Sequence, residues 1–192
     1  VIEKGNRIVI KGASYLTLIS STATGFLGYD QMPLTDRKQV VQKAMQQVMD
    51  AGTDVSKLKK EHIEDYKALF SRQDFSLHTD RSGRTDKLLK DPAAFQAVCE
   101  LLYHYGKYLM ISGSRRGGQP LNLQGQWNAN IRPAWSSNYT VNINTQMNYW
   151  GASLCGLQEC LEPYLRMVHE VCKRGEKTAK VNYGCRGFAC NH

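Results

Sequence analysis

Asp91-Pro-Ala-Ala-Phe-Gln-Ala-Val-Cys-Glu-Leu-Leu-Tyr-His-Tyr-Gly-Lys-Tyr-Leu-Met110 reads as a helix with a marked start and a change of composition just past its end. Asp91 is an N-cap residue type, and Pro92 at the first helical position gives up an N–H that would have no partner anyway. Ala94, Val98, Leu101, Leu102, Tyr105 and Leu109 recur at helical spacing, which predicts one core-facing stripe. After Ile111 the periodicity stops. Residues 112–144 are rich in Gly, Ser, Asn, Gln and Trp, with Pro120 and Pro133 among them. So long an irregular stretch is uncommon inside a compact domain unless it has a task.

Helical spacing resumes near Thr145, with Trp150, Leu154, Leu157 and Leu161 expected inward. Glu162-Pro163 opens a further helix carrying Leu165, Val168 and Cys172, with a stop expected at Gly175. Residues 182–192 read as a loop. Upstream, Thr35 or Asp36 caps a helix whose apolar positions are Val40, Val41, Ala44, Met45, Val48 and Met49, and Gly52 is placed to end it. A second helix follows with Leu58, Ile63, Tyr66, Leu69 and Phe70, then an extended piece at 74–77 and an exposed loop at 79–84. The beginning is β in pattern: a strand at 7–10, a turn at 11–14 containing Gly12, and a second strand at 15–19. Two or three strands cannot bury a core alone, so they are expected to belong to a larger sheet domain.

The 192 residues carry a formal charge of +8. The excess is +4 over residues 1–90 and +4 over 91–192, so no basic stripe of the nucleic-acid-binding kind forms. No apolar run reaches the roughly 18–20 residues of a membrane span. Val1 is not an initiator Met and the chain opens inside a strand pattern, which together suggest a piece of a longer protein; that no signal peptide is visible therefore says nothing about export. Cys155-x4-Cys160 and Cys185-x4-Cys190 lack the usual spacing of structural zinc, and neither a metal nor a cofactor is expected.

Neutral side-chain amides both donate and accept hydrogen bonds, as sugar hydroxyls do, and indole and phenol faces suit the apolar side of a pyranose. Residues 112–150 hold many of both, including all three Trp. Any single amide is more simply a brace for loop backbone; so many together point to a sugar-binding surface. From Leu101 to Gln158 there is neither Asp nor Glu. Glycoside hydrolysis usually needs two carboxyl groups, so the stretch can form a pocket floor but not supply acid and base. A phosphate loop and a G-x-S-x-G elbow are both absent.

Three ordered motifs carry a family resemblance. They are Tyr105-Gly-Lys-Tyr-Leu-Met-Ile-Ser112, Gln119-Pro-Leu-Asn-Leu-Gln-Gly-Gln-Trp-Asn128 and Tyr139-Thr-Val-Asn-Ile-Asn-Thr-Gln-Met-Asn-Tyr-Trp150. In these the chain resembles glycoside hydrolase family 95, whose members are α-L-fucosidases, many α-1,2-specific, with some α-L-galactosidases. The resemblance implies a mainly α chain: the last strands of a β-sandwich domain at 1–30, a helical linker at 31–90, and the opening helices of an (α/α)6 catalytic barrel at 91–192. It implies inversion by single displacement, with a Glu as acid and an Asp as base further along the barrel. Asn142 and Asn144 would assist the water. Gln124, Trp127, Tyr139, Gln146, Asn148, Trp150 and His192 are the expected substrate contacts. The implied partner is a fucosylated glycan, and the implied location is secreted, periplasmic or cell-surface. Gln146 stands where the family commonly has Glu. Asn191 replaces the first His of a G-W-x-x-H-H pattern. A non-catalytic glycan-binding module and a related (α/α)6 enzyme acting on another glycoside stay open beside this reading.

Overall fold

The computed structural model describes residues 2–5, 7–80 and 82–191, with Ile2–Lys4 in backbone alone. The chain is mainly α. Helices hold about half of it, and the only sheet among the described residues has two strands. It divides into two compact units, Val1–Lys60 and Glu61–His192.

In the first unit β1 (Ile2–Lys4) pairs antiparallel with β2 (Arg7–Val9), setting Ile2 opposite Val9 and Lys4 opposite Arg7. The positive φ of 57° that this reversal needs falls on Gly5. Residues 15–19, expected as a strand after Gly12, join no ladder, and Tyr15 and Leu18 are 88% and 76% exposed. An alternating apolar pattern makes a strand only where a neighbouring edge and a covered face exist, and here it has neither. Helix α1 (Arg37–Ala51) forms as its signals predict. The Asp36 carboxylate accepts the Lys38 N–H at 2.9 Å, and Gly52, at φ 71°, donates its N–H to the Met49 carbonyl. The α1 apolar stripe is largely exposed; Met45 and Val48 line an open groove of about 310 Å³ together with Ser21.

Helix α2 (Val55–Phe70) carries the boundary between the units and starts at Asp54, whose carboxylate accepts the Lys57 N–H. A short helix α3 (Thr85–Leu88) precedes the 3-10 turn Pro92–Ala94, which leads into α4 (Phe95–Gly113). Asp91 caps this start through the Ala93 N–H at 2.9 Å, as expected. After the irregular stretch come α5 (Asn144–Tyr149), a 3-10 turn at Gln158–Leu161, and α6 (Glu162–Tyr183). The core of the second unit gathers Leu69 of α2, Met110 and Ile111 of α4, Leu121, Tyr149, Ala152, Leu157 and Cys160.

Three features of the second unit differ from the sequence expectation. On α4 the buried positions are Ala97, Glu100, Lys107, Met110, Ile111 and Gly113; of the expected stripe, Ala94, Val98, Leu101 and Leu109 are half-buried, whereas Leu102 and Tyr105 are 59% and 54% exposed. The cause is the segment 70–77, which has no sheet partner for its backbone. Lys107 Nζ donates to the Phe70 carbonyl at 2.7 Å and to the Gln73 carbonyl. His104 Nε2 donates to the Phe75 carbonyl at 3.1 Å, and the Glu100 carboxylate accepts the Leu77 N–H. Positions 100, 104 and 107 share one helix face, so α4 turns its polar side inward to satisfy backbone groups that burial would otherwise strand. After α5, Leu157 is buried as expected, but Trp150 and Leu154 point outward, and Ala152 and Cys160 are buried in their place. Finally, α6 runs through Gly175 and ends at Gly184, which is in the left-handed conformation. Gly175 is buried because residues 184–191 fold back along α6: Ala189 donates its N–H to the Gly175 carbonyl at 3.1 Å. A Cβ at Gly175 would sit 2.7 Å from the Ala189 carbonyl oxygen and 3.0 Å from Phe188 Cβ. The glycine serves close approach, not termination.

Candidate functional site

The irregular stretch is organised by Tyr149, on α5. Ser114, at the end of α4, donates its hydroxyl proton to the Cys160 carbonyl at 2.8 Å. Its oxygen therefore accepts from the Tyr149 hydroxyl at 2.7 Å, and the Tyr149 oxygen in turn accepts the Leu121 N–H at 2.8 Å. Burial pushes the Tyr149 phenol above its ordinary pKa, so it stays a neutral donor and acceptor. Tyr164 of α6 stacks on it at 4.9 Å. One side chain thus ties α4, residue 121, α5 and the turn before α6 together.

Most of the expected sugar-contacting amides have backbone partners. Gln124 donates to the Ala134 carbonyl at 3.2 Å and accepts the Ser137 hydroxyl. Asn148 donates to the Asn122 carbonyl at 2.9 Å, and Gln146 to the Val141 carbonyl at 2.5 Å. Trp127, 46% exposed, lies in a notch made by two glycines. A Cβ on Gly113 would stand 3.1 Å, and one on Gly125 3.0 Å, from the indole. Tyr139 is half-buried and its phenol is raised by that burial, with Tyr149 and Glu170 adding to the effect. Trp150 presents an open face at 67% exposure. Gln124 braces a tight turn in which Trp135, Ser136 and Ser137 all have φ between 50° and 55°. Three left-handed non-glycine residues in succession cost of order 1–3 kcal/mol each.

Asn142 and Asn144 are different. Both are exposed, and neither side chain hydrogen-bonds to another described residue. Asn142, with Gln146, lines a cleft of about 370 Å³. The opposite wall comes from α6 through Tyr164, Met167, Val168 and Val171, and the folded-back tail adds Phe188 and Cys190. Asn144, Gln124, Trp127, Tyr139, Asn148 and Trp150 are not among the residues that line it. His192 lies outside the described residues. The α6 wall was not expected from the sequence; of the tail, His192 was expected as a contact, but Phe188 and Cys190 were not. Reading Gly175 as a stop removed the segment that brings the tail back, although a glycine inside a strong helical pattern is itself a signal of close packing. Among the described residues no three His, Cys, Asp or Glu gather into a metal-holding group, and no helix is long and apolar enough to cross a membrane.

An apolar cleft with a few placed amides has the form of a small-ligand site. Over residues 54–192 the chain matches the glycosyl hydrolase family 95 catalytic domain. It is 32% identical over 97% of its length to alpha-L-fucosidase 2 of Arabidopsis thaliana, of which it covers 23%. It is 39% identical over 67% of its length to a probable alpha-fucosidase A of Aspergillus niger, covering 17% of that protein. A probable alpha-fucosidase A of Aspergillus oryzae is 32% identical over 93% of the chain, which covers 27% of it. The chain belongs to glycoside hydrolase family 95, and it spans between 17% and 27% of the length of these relatives.

Proposed function

We propose that this chain is part of an inverting α-L-fucosidase that acts on terminal, α-1,2-linked fucose of glycans, in an exported enzyme. Residues 1–30 would close a β-sandwich domain, 31–90 would form a helical linker, and 91–192 would open an (α/α)6 barrel. The observation that carries this reading is the cleft bearing Asn142, in a family whose curated relatives are named fucosidases.

Hydrolysis with inversion needs a water held in line with the anomeric carbon, a base to take its proton and an acid to protonate the leaving oxygen. A side-chain amide cannot be the base, because its carbonyl is far too weakly basic at neutral pH. It can accept one hydrogen of the water and so aim the oxygen lone pair. Asn142 and Asn144 are assigned that task. The Glu and Asp come from parts of the enzyme outside these residues, in keeping with the absence of carboxylates from Leu101 to Gln158. Such a pair stands roughly 6.5–9.5 Å apart, leaving room for the water. Gln124, Gln146 and Asn148 support the floor through backbone bonds. Trp127, Tyr139 and Trp150 offer ring faces to the sugar, and His192 adds a contact.

The test is turnover of 2′-fucosyllactose by the full-length enzyme. Asn142→Ala and Asn144→Ala are each expected to lower kcat by about 10²-fold, the size of the loss when a reacting group is misplaced by about an ångström. Undiminished turnover would remove both residues from the mechanism.

A further inference from the structure

The two sides of the cleft differ in chemistry. One presents amides, from Asn142 and Gln146. The other is a stripe of α6 at positions 164, 167, 168 and 171, a 3-1-3 spacing that puts all four on one helix face. None of the lining side chains is charged. Met167 is 8% exposed and therefore fixed by packing, while Val168, at 36%, remains open to the cleft. Phe188 extends the apolar surface, and it is held there by the close contact with Gly175. At about 370 Å³ the cleft lies near the lower end of ligand pockets, ~300–1,000 Å³, a size for one sugar ring rather than an oligosaccharide.

We propose that Val168 and Val171 read the methyl group on C5 of a 6-deoxyhexose, and so make this cleft select fucose over L-galactose. The inference rests on the functional reading above and deepens it. A fucose ring has an edge of hydroxyls and, at C5, a methyl group in place of a hydroxymethyl. The hydroxyl edge suits the amides, and the methyl suits the two valines. L-Galactose differs only by a hydroxyl on that carbon. Against Val168 and Val171 this hydroxyl would lose its water and meet no acceptor, which is unfavourable. An apolar surface rejects an added hydroxyl by roughly 10²-fold at most, so the expected preference is substantial but finite.

The experiment uses the full-length enzyme with 2′-fucosyllactose and its α-1,2-linked L-galactosyl counterpart, and reads the ratio of the two kcat/KM values. The wild type should favour the fucoside. Val171→Ala makes room for the hydroxymethyl group, and Val168→Thr supplies an acceptor with the shape of valine at a position exposed enough to tolerate it. Each should narrow the ratio by about tenfold, and Val168→Thr should do so with an unchanged Tm. Merely structural damage would lower both substrates together, so an unchanged ratio in an active enzyme overturns the methyl-reading role alone. A wild type that cleaves neither substrate overturns the functional reading and this inference with it.

Discussion

Two groups of polar side chains in the second unit do opposite things. On the inner side of α4, Glu100, His104 and Lys107 are withdrawn from solvent and occupied by the backbone of residues 70–77. Ahead of and at the start of α5, Asn142 and Asn144 are exposed, with no protein partner among the described residues. The first group completes the fold, because a buried carbonyl or N–H left unmatched is more costly than the hydrogen bond itself is favourable. The second is free to act on something outside the fold. The partner that each side chain finds decides between the two roles.

The largest expected effect on stability comes from breaking the first group. Lys107→Met would strand the Phe70 and Gln73 carbonyls and cost about 3 kcal/mol, as for hydrogen bonds made by a charged donor. Urea denaturation measures it, and a loss near zero would mean that water replaces the ammonium. Tyr149→Phe comes next. It removes the hydroxyl that serves both Ser114 and Leu121, at about 2 kcal/mol. The same melts measure it, and the difference between the two variants ranks burial of charge against burial of a neutral network.

The smallest effect is a pH dependence at the surface. The Arg72 guanidinium grips Glu159 through two bonds of 2.7 Å and holds its carboxyl down to about 2, from an ordinary 4.5. A depressed carboxyl contributes stability above its unfolded pKa and loses it as pH falls toward the folded one. Stability should therefore decline between pH of about 4.5 and 2, and Arg72→Gln should flatten that part of the profile. Both groups are exposed, so salt should weaken the effect.

Much of the helical framework was legible because its signals are local. Asp36 and Gly52 bound α1, and Asp91 with Pro92 starts α4, by hydrogen bonds within two or three residues of the cap. What the sequence hid depends on partners far along the chain. Leu102 and Tyr105 of the α4 stripe face outward because hydrophobic spacing takes no account of carbonyls at 70 and 73 that need a lysine. Residues 15–19 alternate like a strand but find no edge. Gly175 looked like a stop, since a glycine in a helix and a glycine after one are the same letter until Phe188 and Ala189 are seen against it. The site was half legible. The density of amides marked residues 112–150, but which amides serve the backbone and which face the cleft is a matter of distances. The α6 wall had no polar residue to announce it.

The most direct measurement is to take kcat and Tm together for the Asn142→Ala/Asn144→Ala double variant of the full-length enzyme, beside Lys107→Met. If the open amides handle water and the inward polar side chains of α4 hold the fold, the double variant keeps its Tm and loses most of its kcat on 2′-fucosyllactose, while Lys107→Met loses Tm. A double variant that melts early, or that turns over like the wild type, would contradict the account.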